Sequence, residues 1–77
     1  MEVMLYTTLG CHLCEEAESQ LHALQTEGMD LTIRPVEIAD DDQLTERYGI
    51  RIPVVQCGAR EIGWPFTVDE LRAFLLQ

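Results

Sequence analysis

Lysine is missing from this 77-residue chain, whose cationic side chains are five arginines against fourteen aspartates and glutamates. The formal net charge of −9 repels nucleic-acid phosphates and anionic lipid surfaces, so neither class of partner is expected. No apolar run approaches the ~20 residues that a membrane-spanning helix needs. The chain begins Met1-Glu2-Val3, with no basic stretch ahead of an apolar one. No signal peptide is therefore expected, and the cytoplasm is the default location. Repeats, low-complexity tracts and Ser/Pro-rich linkers are also missing, so residues 1–77 are read as one domain. A domain this small buries a modest share of its surface and should be only thinly stable. Cysteine is scarce, with three residues. In a reducing compartment a close cysteine pair is more often catalytic, redox-sensing or metal-binding than a structural staple.

What is present reads as alternating strands and helices. Val3-Met4-Leu5-Tyr6 is continuously apolar, the pattern of a central strand buried on both faces. Gly10 breaks it. Leu13, Ala17, Leu21 and Leu24 then fall at helical spacing, with Gly28 as the stop. Leu31, Ile33, Val36 and Ile38 suggest a second strand, which Pro35 confines to a sheet edge. Asp40 is expected to cap a short helix through Tyr48, ended by Gly49. Pro53–Cys57 reads as a third strand, Gly58-Ala59 as a turn and Arg60–Ile62 as a fourth strand. Thr67 and Glu70 have capping-box spacing, with Phe66 and Leu71 as a hydrophobic staple, before a last helix on Val68, Leu71, Phe74 and Leu75. The expected order is βαβαββα. Strands one and two should be parallel through a right-handed crossover and the later hairpin antiparallel, giving an α/β sandwich on a four-stranded mixed sheet.

The chemistry concentrates at Cys11-His12-Leu13-Cys14, where a strand ends and a helix begins. Cysteines three apart on a first helical turn share a face and can close a disulfide. Unpaired N–H groups and the positive helix end favour a thiolate there, the nucleophile that disulfide exchange requires. Cys11, nearer the loop, is expected to attack, and Cys14, one turn in, to resolve. His12 could shuttle a proton or simply face solvent. Glu15, Glu16 and Glu18 complement the helix dipole but oppose a thiolate, so only a modestly lowered Cys11 pKa is expected. Cys57 is expected to be a small buried apolar side chain.

Taken over its whole length, the chain resembles the thioredoxin superfamily, and the minimal glutaredoxin-type arrangement best. The resemblance rests on a strand, then Gly10-Cys11-His12-Leu13-Cys14, then a helix, and on Tyr48-Gly49-Ile50-Arg51-Ile52-Pro53-Val54-Val55, which looks like the family segment ending in a cis-proline. The stretch from Tyr6 to Ala17 is similar to a subgroup of short, mostly bacterial glutaredoxin-like proteins. The resemblance implies a redox-active centre, with Cys11 as nucleophile, Cys14 as resolving thiol and Pro53 as the cis-proline. It implies thiol–disulfide oxidoreductase activity, serving electron transfer and cell redox homeostasis. Ile52, Pro53, His12 and Arg51 become the expected substrate-binding residues, since a cis X–Pro bond ahead of a strand would turn the preceding carbonyl and amide outward toward an extended substrate. The implied partners are a disulfide-containing protein or small thiol substrate and a reductase or thiol electron donor, acting on a monomer. Three departures count against a glutathione site. Thr7 and Thr8 stand where glutaredoxins carry a lysine, Gly63-Trp64-Pro65-Phe66 replaces a Gly-Gly pair, and Leu13 replaces a tyrosine. Arg51 could clasp a substrate carboxylate, or be an ordinary surface charge. No cofactor is expected.

Two other readings compete with the enzyme. One is a non-catalytic binding module on the same fold, recognising a partner at the Pro53 edge. The other is a metal protein using Cys11 and Cys14 with His12, His22 or Cys57. A structural zinc site normally needs four ligands, often from two paired motifs, and only one pair is present, so no metal is expected. Trp64 and Phe66 could form a docking patch, although packing of the last helix explains them more simply. Helix capping and solvation likewise account for Asp40-Asp41-Asp42.

Overall fold

The computed structural model describes residues 1–77 as seven elements in chain order: β1 (Glu2–Thr7), α1 (His12–Thr26), β2 (Thr32–Glu37), α2 (Asp42–Tyr48), β3 (Val54–Cys57), β4 (Arg60–Gly63) and α3 (Val68–Leu76). The sheet order is β2-β1-β3-β4. β1 and β2 are parallel, with Thr7 opposite Glu37. β3 runs antiparallel to both β1 and β4, with Tyr6 opposite Val54. The α/β class, the mixed sheet and the βαβαββα order all match the sequence-based expectation. Pro35 lies on the edge strand β2, where a missing N–H costs no ladder bond.

Strand alternation sorts the apolar side chains onto two unequal faces. Val3 and Leu5 of β1 and Val55 of β3 meet Ala17, Leu21 and Leu24 of α1 and Leu71 and Leu75 of α3 in the main core. Each fully buried leucine contributes about 1.5–3 kcal/mol of transfer free energy. The opposite face carries a smaller cluster of Ile38, Tyr48 and Val54, with Tyr6, Leu44 and Ile52 at its margin. Tyr6 and Tyr48 stack there with ring centroids 4.2 Å apart. β1 is therefore not buried on both faces as expected: Val3 and Leu5 are buried, whereas Met4 and Tyr6 are half-buried. The reason is length, since α2 has only 7 residues and covers one end of that face.

The helix starts carry a second correction. Asp41, not Asp40, caps α2, its Oδ1 accepting from the amides of Gln43 and Leu44. Asp40 lies inside a turn closed by the Asp41 amide on the Ile38 carbonyl, and the chain becomes extended only at Asp41. At α3 the capping box forms as its spacing predicts, Thr67 and Glu70 each bonding the other's amide.

Candidate active site

Thr8 to Cys11 form a tight turn closed by the Cys11 amide on the Thr8 carbonyl at 3.2 Å. Gly10 occupies its third position with φ +82°, the left-handed conformation that glycine adopts without strain. The turn delivers Cys11 to the N-cap of α1, a position normally held by Ser, Thr, Asp or Asn. Sulfur takes that role here, Cys11 Sγ accepting from the Cys14 amide at 3.2 Å. Cys11 and Cys14 are joined as a disulfide with their Cα atoms 5.2 Å apart. Cys11 is partly exposed, whereas Cys14 is only 3% exposed. The Cys14 N–H and the positive end of α1 are aimed at the Cys11 sulfur, so charge on that atom is favoured once the disulfide is opened.

An open cleft of about 240 Å³ borders Cys11. Its walls are residues 7–11, Cys14 and three acidic residues, Glu15, Glu18 and Glu37. Glu37 ends β2 directly opposite Thr7. Its Oε1 accepts from the Leu9 amide at 2.8 Å and its Oε2 from the Ala39 amide at 3.0 Å. One carboxylate thus ties the cysteine turn to the β2–α2 connection. The Ala39 amide foremost and then the Thr8 hydroxyl hold its carboxyl below the ordinary carboxylate value; burial opposes them, and the Leu9 and Ile38 amides add smaller lowering effects.

The other expected site residues divide. His12 is exposed, its Nδ1 3.7 Å from Glu15 Oε2. The Ile52–Pro53 bond is cis, and Pro53 directly precedes Val54 at the sheet end from which the cysteine turn departs. The Ile52 amide, however, is not free for a substrate: it donates to the Tyr48 carbonyl at 3.0 Å. The Pro53 carbonyl accepts from Trp64, and only the Ile52 carbonyl is left without a partner in the chain. Arg51 is not among the cleft residues. It reaches Glu61 at 3.7 Å and lies over the Tyr48 ring. The Tyr48 hydroxyl donates to the same Glu61 carboxylate, and burial, reinforced by that bond, pushes the phenol up to about 12.

Cys57 is half-buried against the main core. It lies at the opposite end of β3 from Val54, and so at the far end of the sheet from Cys11. His22 bonds Gln25 on the exposed side of α1. No three His, Cys, Asp or Glu side chains are grouped as a metal site. Trp64 and Phe66 meet edge to face, centroids 5.0 Å apart, and pack against the main core. A second cis bond, Trp64–Pro65, precedes Phe66 and was not among the expectations from the sequence. Glu37 was also missed, because nothing in its local sequence shows that β2 ends level with the cysteine turn.

The glutaredoxin-like domain (DUF836) profile matches residues 2–76. Among solved structures, a structural-genomics target protein from X. campestris superimposes in its crystal form with a TM-score of 0.82 at 38% identity, over 95% of this chain and 93% of that one. Its solution structure gives 0.74 at 36% identity, over 97% and 92%. The germline-specific thioredoxin Deadhead of Drosophila melanogaster gives 0.53 at 23% identity, over 97% of this chain and 75% of that one, a likeness of fold alone. No protein of curated function matches. No helix is long and apolar enough to cross a membrane.

Proposed function

This chain belongs to the glutaredoxin-like domain family, and on that premise we propose that it is a thiol–disulfide oxidoreductase whose redox pair is Cys11 and Cys14. The observation that carries the reading is the partly exposed Cys11 at the α1 N-cap, its sulfur accepting from the amide of a buried Cys14.

In the reduced protein the Cys11 thiolate attacks one sulfur of a substrate disulfide. The Cys11–substrate bond forms, the substrate S–S bond breaks, and the first leaving thiolate takes up a proton. Cys14, deprotonated in turn, attacks Cys11 Sγ, and the second substrate thiol leaves as the Cys11–Cys14 disulfide closes. Two electrons pass from the protein to the substrate, and a thiol electron donor returns them. An extended substrate could use the Ile52 carbonyl as a backbone acceptor, and the exposed His12 directly follows the attacking residue. Glutathione is a poor fit to a lysine-free, carboxylate-lined cleft, so glutathione-coupled turnover is expected to be weak.

Titration of the pair against a redox buffer tests the proposal. The expected result is a reversible two-electron couple in the range of roughly −270 to −200 mV. Thiols that never oxidise would overturn it.

A further inference from the structure

We infer that the Cys11 cleft selects disulfides that carry positive charge beside the sulfur and turns away anionic ones. The inference deepens the oxidoreductase reading and rests on it. Three carboxylates, Glu15, Glu18 and Glu37, share the cleft with the reactive sulfur, and no cation lines it.

Every arginine is engaged elsewhere. Arg34 pairs with Glu2, Arg51 with Glu61, and Arg72 with Glu27 and Asp69. Arg60 donates to the carbonyl of Phe74 and to Gln77, and Arg47 lies over the Tyr48 ring. With no lysine in the chain, the basic side chain beside the cleft is the exposed His12, next to Glu15, and the positive end of α1 is directed at the Cys11 sulfur itself. Glu37 is held ionised by the amides of Leu9 and Ala39, so its charge belongs to the site at neutral pH. A substrate reaching Cys11 must enter this field before its sulfur can be attacked. The chemistry favoured is a basic segment around a half-cystine, or a small disulfide bearing amines.

In water, one unit-charge pair about 7 Å apart changes a rate or equilibrium constant by a factor of about 2–3. Three carboxylates acting on a cation rather than an anion therefore predict at least about a tenfold preference at low ionic strength.

The test uses the full chain, reduced and freed of reductant. Its rate of reaction is measured with cystamine (cationic), hydroxyethyl disulfide (neutral) and glutathione disulfide (anionic). Each rate is divided by that of the same disulfide with dithiothreitol, which removes intrinsic reactivity. Cystamine is expected to lead glutathione disulfide by about tenfold or more, with the neutral disulfide between them. The ratio should narrow on raising salt toward about 1 M, where the Debye length is about 3 Å, and in the double variant Glu15→Gln/Glu18→Gln. Equal normalised rates, or a lead for glutathione disulfide, would overturn charge selection and leave the oxidoreductase standing. Failure to react with all three would overturn both.

Discussion

Cys11 and Cys14 sit one helical turn apart in different surroundings, and the proposed oxidoreductase gives them different work. Cys11 is partly exposed in the cleft, whereas Cys14 is buried. Cys14→Ser should therefore accumulate mixed disulfides through Cys11, because attack proceeds and resolution cannot. Cys11→Ser should trap far less. Mass spectrometry after incubation with a model disulfide reads the difference, and equal trapping by both variants would refute the division of roles. Glu37 acts at the same scale. Its carboxyl is held below its ordinary value of 4.5, so the stability it adds is present above the unfolded value and is lost as pH falls through the lower folded value. Glu37→Gln puts an amide NH₂ where an oxygen accepts from a backbone N–H. In urea titrations the variant should be the less stable at neutral pH, and the gap should close in acid. A gap unchanged by pH would mean that the carboxylate charge does not hold the turn.

At the scale of elements, the two clearest helix starts use different atoms for one task. α3 closes a reciprocal capping box through Thr67 and Glu70, whereas α1 caps itself with the Cys11 sulfur. The first arrangement stabilises the helix, and the second also brings the sulfur of the proposed nucleophile to the helix start. Thr67→Ala removes the α3 cap and should cost about 1 kcal/mol, read as a melting temperature lower by about 4–8 °C for a domain of this size. An unchanged melting temperature would show that α3 is held by Leu71 and Leu75 alone. These starts were legible because a cap and its helix lie within four residues of each other. The α2 start was misplaced by one residue because Asp40, Asp41 and Asp42 are chemically equivalent. The turn that absorbs Asp40 depends on where β2 ends, which is not a local property.

Over the whole molecule, the sheet has one thoroughly covered face and one partly covered face. α1 and α3 pack on the first, and the short α2 protects the end of the second around Tyr6 and Tyr48. The ion pairs lie mostly on the exposed rim: Arg34 ties β2 to β1, and Arg72 ties α3 to the end of α1. Exposed pairs of this kind contribute little to stability individually. Their larger consequence is for charge distribution. They occupy the few cations and leave the cysteine cleft negative in a chain whose net charge is already −9.

The element order, the edge position of Pro35, the α3 capping box and the cysteine pair at a strand–helix junction could all be read from local sequence. Each depends on neighbours a few positions apart, where periodicity, turn chemistry and capping act directly. The surroundings of the pair, by contrast, come from long-range packing. Glu37 reaches the Leu9 amide from 28 positions away because the parallel register sets β2 level with the end of β1. Arg51 is drawn to Glu61, the Ile52 amide is spent on Tyr48, and Cys57 falls at the other end of the sheet. All of these follow from strand register and from which loops share a sheet end, and a strand's own residues do not encode which partner it will find or where along it the pairing will stop.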